Sequence, residues 1–211
     1  MSTLVRGEDG RRRCPWGAST PDYAAYHDEE WGRPVADDRG IYERLVLEGF
    51  QSGLSWLTIL RKREGFRAAF AGFEIAAVAR FGERDVARLL ADAAIVRHRG
   101  KIEAAIANAR AAARMHDAGE SLAELVWSHA PRGRPRAPRT VEELPAITPE
   151  STALSKELKR RGFRFVGPTT AYAAMQACGI VNDHLAGCWV RPEVEALSSR
   201  RGWMNERSPS A

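Results

Sequence analysis

Apolar residues along the central part of this chain recur at helical spacing and nowhere alternate convincingly with period two, so the fold must be a packing of helices. Ile41, Leu45, Glu48 and Ser52 fall on one face of a helix entered near Asp37–Asp38. Leu57, Ile59 and Leu60 open the next after Gly53, and Val86, Leu89 and Leu90 carry another from Asp85 to about Asp92. An alanine-rich stretch from Lys101 to His116 keeps Ile102, Ala105, Ile106 and Ala109 on one side, and Gly119 follows it. Thr148 with Pro149 reads as a cap with proline in the first turn, ahead of Leu154, Leu158 and a stop at Gly162. Gly167-Pro168 starts a further helix through Tyr172 and Met175 to Gly179, and Asn182 or Asp183 caps a last short helix holding His184 and Cys188. The expected fold class is all-α, with many short helices. A flexible N-terminus (1–12), one domain (13–190) and a flexible C-terminal tail (191–211) are expected, with the Arg/Pro segment Pro131–Arg139 as the only linker-like stretch.

A chain of 211 residues is long enough for one well-buried core, or two small lobes sharing it. No apolar run approaches the roughly 18 residues of a membrane span, and the N-terminus, with Arg11, Arg12 and Arg13, lacks the apolar stretch of a secretory signal. Three cysteines argue against a disulfide framework and for a reducing compartment. A cytoplasmic protein with no membrane partner is expected. The formal charge of +5 suggests an anionic partner only weakly, because Arg132, Arg134, Arg136 and Arg139 supply most of it from a run that reads first as a solvated loop.

Cys14 and His27 lie near one end of the chain and His184 and Cys188 near the other. On a helix, His184 and Cys188 at i, i+4 project from one face, which suits two ligands of one tetrahedral ion. Two thiolates and two imidazoles would fill a zinc shell and leave no position for a catalytic water, so such a site is structural. Taken singly, each cysteine reads as a small core residue and each histidine as an ordinary hydrogen-bonding group.

Trp16, Tyr23, Tyr26 and Trp31 crowd into a short stretch of a chain that is only 8% aromatic. Just downstream, Glu48 continues the Ile41/Leu45 stripe and so points a carboxylate inward, where it needs a protein donor or a ligand. Gly49 and Gly53 let backbone approach whatever sits there. A carboxylate walled by Trp and Tyr suits a flat, nitrogen-rich, cationic ring, held by stacking, cation–π attraction and hydrogen bonds to the acid. The same tryptophans also read as ordinary core packing.

Between two helical stretches stands Ile95-Val96-Arg97-His98-Arg99-Gly100-Lys101. Gly100 sits at the start of the second helix, where free N–H groups and the dipole favour an anion. Arg97, His98, Arg99 and Lys101 surround it, which fits either a DNA phosphate contact or a solvated basic turn.

Taken in order, these segments resemble the 3-methyladenine DNA glycosylase I family of the helix-hairpin-helix glycosylase superfamily. The matching runs are Arg13-Cys14-Pro15-Trp16-Gly17, Tyr26-His27-Asp28-Glu29-Glu30-Trp31-Gly32 and Leu47-Glu48-Gly49-Phe50-Gln51-Ser52-Gly53-Leu54-Ser55-Trp56. Arg97-His98-Arg99-Gly100-Lys101-Ile102, the stretch from Leu154 to Phe163, Met175-Gln176-Ala177-Cys178-Gly179 and Val181-Asn182-Asp183-His184 continue the match, which spans about Cys14 to Cys188. The resemblance implies a two-lobed all-α fold with the cleft between the lobes and a helix-hairpin-helix near 86–116. It implies a structural zinc on Cys14, His27, His184 and Cys188 tying the terminal segments together. It also implies a base pocket of Trp16, Tyr26, Glu48 and Trp56 with Tyr23 close by, and a hairpin, Arg97 to Lys101, gripping the lesion strand.

The implied activity is base-excision repair: a monomer flips an alkylated nucleotide out of double-stranded DNA and hydrolytically releases 3-methyladenine. Glu48 would recognise and orient the cationic base while water attacks the sugar carbon. Most superfamily members place an Asp after the hairpin; this family lacks it, and the nearest acids here, Asp117 and Glu120, look like a helix end and a turn. Two departures stand out. The hairpin reads Asp92-Ala93-Ala94-Ile95, with alanine where family members usually have glycine, and the Arg/Pro segment looks like a variable insertion. The rival readings are a bifunctional glycosylase/lyase using Lys101 as a Schiff-base nucleophile and a non-catalytic DNA-binding zinc module.

Overall fold

The computed structural model describes residues 3–133 and 135–200. Its helices are α1 (Pro21–Glu29), α2 (Asp38–Gln51), α3 (Trp56–Ala69), α4 (Ile75–Ala79), α5 (Glu83–Ala91), α6 (Arg99–Asp117), α7 (Leu122–Trp127), α8 (Pro149–Arg160), α9 (Pro168–Ala177) and α10 (Arg191–Arg200). Most begin at a side chain that accepts from a free N–H of the first turn: Thr20, Asp37, Ser55, His98, Ser121 and Thr148. Thr20-Pro21 uses the same device as Thr148-Pro149, yet α1 carries no apolar stripe to announce it, because its tyrosines face a cavity rather than the core.

Helix α2 is the centre of the molecule. Ile41, Tyr42, Leu45, Val46, Leu47 and Phe50 are all buried, and the helix packs against α3, α6, α7 and α9. An interior helix with apolar residues on nearly every face has no solvated side on which to keep a charge. Glu43 and Glu48 are therefore buried with it. Among the described residues, no helix is long and apolar enough to cross a membrane.

Three expectations at the ends of the chain need correction. The N-terminal segment is not simply frayed: β1 (Val5–Arg6) pairs antiparallel with β2 (Arg12–Arg13), and Arg13 clamps the ribbon by donating to Asp9 and Asp28. The expected tail begins instead as α10, with the buried Val194 packed beside Leu185 and Val190; residues 201–211 lie outside the described residues. His184 and Cys188 do not share a helix. Asn182 accepts from the His184 N–H, and Gly187 takes a left-handed φ of 83°, so the segment turns back on itself between α9 and α10. The Arg/Pro segment is also anchored to this turn, since the Pro138 carbonyl accepts from the Ala186 N–H at 2.7 Å.

Candidate active site and metal centre

Cys14, His27, His184 and Cys188 converge, all four buried, with one donor atom from each within 4.8 Å of the others. The hydrogen bonds around them fix what faces inward. His184 Nε2 lies 3.1 Å from the Trp31 carbonyl, which can only accept, so that nitrogen carries the proton. His27 Nδ1 lies 2.8 Å from Asp28 Oδ1. Burial works to raise the Asp28 pKa, but hydrogen bonds from Arg13 and His27 outweigh it and hold it below the usual carboxylate range. His27 therefore donates outward as well.

The two unprotonated nitrogens, His27 Nε2 and His184 Nδ1, face each other at 3.2 Å, with Cys188 Sγ 3.5 and 3.6 Å away and Cys14 Sγ 3.9 Å from His184 Nδ1. Opposed lone pairs flanked by two sulfurs repel unless a cation sits among them. The cluster can hold a metal ion. Its supporting shell is complete: Arg13 and the Trp189 indole N–H both donate to Asp28, which orients His27. Gly17 lets the chain pass so close that a Cβ there would lie 2.5 Å from the His27 ring.

Beside this cluster lies a cavity of about 290 Å³ lined by Trp16, Tyr23, Tyr26, Trp31, Glu48, Gln51, Trp56, Leu144, Ala173 and Gln176. Pairs three residues apart supply three of its walls, Tyr23/Tyr26 from α1, Glu48/Gln51 from α2 and Ala173/Gln176 from α9, because that spacing puts both members on one helix face. Trp16 joins cavity to cluster: it stands edge-on to Tyr23, His27 and Trp31 at 5.5, 5.1 and 5.0 Å between ring centres. Trp31 in turn packs edge-on against His184 at 4.7 Å, and Tyr26 leans on Trp56 at 5.4 Å. The aromatic walls are thus braced by the imidazoles.

Two polar atoms of residues lining the cavity are unsatisfied. The Tyr26 hydroxyl and the Trp56 indole N–H are buried without a hydrogen-bond partner. Glu48 is 7% exposed and makes no hydrogen bond or ion pair among the described residues; burial pushes its pKa up to about 8, against the pull of the Arg44 charge. Arg44 is spent on Glu30 and Glu43, each at 3.5 Å. Among the described residues no protein donor meets Glu48, and each buried donor left unmet costs about 1–3 kcal/mol until a ligand or water satisfies it. Burial, and then the nearby Glu48, hold the Tyr26 phenol well above its ordinary pKa, so it stays a neutral donor.

On another side of α2, α5 and α6 are joined by a turn over 92–98 that buries Ile95. Ala94 takes the place expected of glycine without a left-handed φ, and α3 makes room for it: a Cβ on Gly65 would meet the Ala94 carbonyl at 2.6 Å. His98 caps α6 by accepting from the Lys101 N–H, and Arg97 is exposed. Arg99 is exposed but paired with Glu83 and Glu103 at 2.9 and 3.3 Å.

A family model of the methyladenine glycosylases matches residues 16–191. The chain belongs to the methyladenine glycosylase family. It is 51% identical to DNA-3-methyladenine glycosylase 1 of Escherichia coli K12, over 85% of this chain and 97% of that one. It is 42% identical to DNA-3-methyladenine glycosylase of Haemophilus influenzae, over 83% and 96%. A crystal structure of 3-methyladenine DNA glycosylase I superposes with a TM-score of 0.82 at 50% identity, covering 85% of this chain and all 100% of that chain. The Staphylococcus aureus enzyme, solved for the structural basis of 3-methyladenine recognition, superposes at 0.81 with 35% identity, over 85% and 96%.

In this member of the family, Trp16, Tyr23, Tyr26, Glu48 and Trp56 meet in one cavity, while Arg97, His98, Arg99 and Gly100 lie apart from it on the turn and first residues of α6. Lys101 departs from its expected place. Its ammonium is buried and donates to the Phe50 and Ser52 carbonyls at 2.8 and 2.5 Å, capping the C-terminal end of α2. Held by two carbonyls, it points into the fold rather than out towards a phosphate. Gly49 faces the loop at Phe165 and Gly53 serves a left-handed turn (φ 80°), so neither glycine opens the cavity. Glu120 pairs with Arg161, and Asp117 ends α6; neither lines the cavity. Trp31 stands in the aromatic cluster seen in the sequence but not in the expected base pocket; Gln51, Leu144, Ala173 and Gln176 have no place in the sequence expectation, and the i, i+3 spacing of Gln51 from Glu48 is the local signal that could have found the first of these.

Proposed function

We infer that the protein is a base-excision repair DNA glycosylase that flips an alkylated nucleotide out of double-stranded DNA and releases 3-methyladenine by hydrolysis. The observation that carries this reading is the unpaired Glu48 inside an aromatic cavity with two unmet donors, Tyr26 Oη–H and Trp56 Nε1–H. An adenine ring answers all three: its amine donates to the acid, and its unshared ring nitrogens accept from the donors.

Selection follows from charge. Extrusion of a base costs a few kcal/mol, and stacking returns about 1–3 kcal/mol, so stacking alone cannot pick a lesion. Methylation at N3 makes adenine cationic. A cation between aromatic faces gains on the order of 2 kcal/mol when desolvated, and it draws the Glu48 carboxyl into its ionised form. The positive charge also weakens the glycosidic bond, so the protein needs to hold the base rather than protonate it. Among the described residues Glu48 is the sole carboxylate lining the cavity, and water attacks the sugar carbon with no other acid from that lining.

The turn over 92–98 with the start of α6 serves as the helix-hairpin-helix. The unpaired N–H groups of the first turn of α6, with Arg97 and His98 beside them, grip a backbone phosphate between two helical lobes. Cys14, His27, His184 and Cys188 hold a structural zinc. Two thiolates and two imidazoles would complete its shell, and their donor atoms already stand 3.2 Å apart for the two nitrogens and 3.5, 3.6 and 3.9 Å apart for three sulfur–nitrogen pairs. Bound there, the ion supplies a cross-link between the N-terminal segment and the turn before α10, and with it a rigid mount for Trp16 and Trp31. The protein works as a cytoplasmic monomer. The decisive experiment incubates N-methylated duplex DNA with the protein and identifies the liberated base by chromatography. Release of 3-methyladenine supports the reading, and no release rejects it in favour of a non-catalytic DNA-binding module.

A further inference from the structure

Two basic segments, far apart in sequence, run into the walls of the cavity from the same side. Arg12 is exposed on β2, and the chain passes from it through Cys14 to Trp16, which lines the cavity. Arg132, Arg136 and Arg139 are exposed on the Arg/Pro segment, which continues to Leu144 in the same lining.

The turn over 185–189 brings the two segments together. The Ala186 N–H donates to the Pro138 carbonyl at 2.7 Å, and the Trp189 N–H donates to the Arg12 carbonyl at 3.0 Å. Between these bonds, a Cβ on Gly187 would lie 3.7 Å from the Arg12 guanidinium. Val141 packs onto the apolar cluster of Leu185, Val190 and Val194, so the Arg/Pro segment is moored on both sides of Arg139. Pro135 and Pro138 restrict the backbone around Arg136, which leaves it little freedom to lose on binding.

The charge on this edge is available. Elsewhere on the surface Arg61 meets Asp22, Arg67 meets Glu43 and Glu64, Arg99 meets Glu83, and Arg161 meets Glu120 and Glu157. Arg12, Arg136 and Arg139 form no ion pair among the described residues. Glu142 and Glu143 share the segment, but Glu143 Oε2 accepts from the Arg139 backbone N–H at 2.8 Å, which turns that carboxylate towards the chain. Unpaired positive charge collected along one edge repels itself, and a polyanion relieves that repulsion.

We propose that Arg12, Arg136 and Arg139 form a second phosphate-binding edge for duplex DNA, at the Trp16–Leu144 side of the cavity. The proposal rests on the glycosylase reading. An extruded nucleotide stays joined to the backbone on both sides, and cations along this edge meet its phosphates without touching the base. None of residues 92–98 lines the cavity, so this contact is separate from the one at the start of α6.

The test compares wild type with two triple variants, Arg12→Gln/Arg136→Gln/Arg139→Gln and Arg12→Lys/Arg136→Lys/Arg139→Lys. Affinity for an undamaged duplex is measured by fluorescence anisotropy over a range of salt concentrations, and free 3-methyladenine is titrated by quenching of tryptophan fluorescence. Three lost phosphate contacts should lower the slope of log affinity against log salt by about 2.7, and weaken duplex binding at least about tenfold near 0.1 M salt. Half-maximal excision by the glutamine variant should then need at least about tenfold more protein. The lysine variant should keep the wild-type slope, and both variants should bind the free base as wild type does. An unchanged slope in the glutamine variant overturns the proposal. So does a loss of free-base binding, which would make the edge a support of the cavity, or an equal loss of slope in the lysine variant. Wild-type protein that releases no base from alkylated DNA removes the glycosylase reading, and the proposal with it.

Discussion

Replacing Glu48 by Gln should make the protein more stable and less active. In the native state burial raises this carboxyl from 4.5 to about 8, against the pull of the Arg44 charge. The sign follows from linkage. Below pH 4.5 both native and unfolded chains hold the proton and no penalty arises. Between 4.5 and 8 the unfolded chain ionises while the native one does not, so stability falls by about 1.4 kcal/mol per pH unit. The accumulated penalty is about 3 kcal/mol at pH 7 and levels off near 5 kcal/mol above pH 8. Glutamine cannot ionise. Its amide is as poorly satisfied as the protonated acid it replaces, so the variant should gain about 1–3 kcal/mol at pH 7. The gain should vanish towards pH 4.5.

Excision should move the other way. Hydrogen bonds to a charged partner contribute about 1.5–3 kcal/mol and neutral ones about 0.5–1.5. Losing the charge therefore lowers kcat/KM on alkylated DNA roughly 5- to 30-fold. Wild-type activity should rise with pH up to about 8, as Glu48 ionises more readily to receive the cation, and the variant should lack that limb. The assays are urea unfolding followed by tryptophan fluorescence at several pH values, and chromatography of released 3-methyladenine over the same range. A Glu48→Gln protein that is less stable by the same amount at every pH would mean that the acid serves an internal pair, and the argument would fail. Undiminished excision would refute its role in recognition.

Three further outcomes follow from the geometry. The purified protein should carry one zinc per chain, and Cys14→Ser should lose it and lower Tm by roughly 6–12 °C, equivalent to about 3 kcal/mol in a chain of this size; full metal-free stability would disprove the clip. Gly17→Ala should act as a metal-site mutation although residue 17 is not a ligand, because its Cβ would sit 2.5 Å from the His27 ring; retained zinc and unaltered free-base binding would contradict this. Lys101→Met should cost about 1–3 kcal/mol of stability by leaving the Phe50 and Ser52 carbonyls without their donor, and borohydride should trap no covalent adduct between wild-type protein and DNA. A trapped adduct would restore Lys101 as a nucleophile.

What could be read from sequence was local. Helix starts at Asp37 and Thr148 are written in side chains that reach only three residues ahead, so neighbouring letters suffice to place them. The inward Glu48 is a matter of helical phase, and the Cys/His cluster and the cavity aromatics are marked by residue types and motifs that stay recognisable along the chain. Direction and partnership were not local. Whether Lys101 reaches out to a phosphate or in to α2 depends on carbonyls some fifty residues away in the chain. Spacing at i, i+4 suggested a helix for His184 and Cys188, but a left-handed glycine and an asparagine cap turned the segment into a loop that still brings both ligands to one point. That Glu48 has no protein partner among the described residues and that Trp16 and Trp31 lean on the imidazoles of the Cys/His cluster are properties of packed neighbours distant in sequence. Only tertiary structure decides these, because burial and hydrogen-bond satisfaction are set by what the rest of the fold places within a few ångströms.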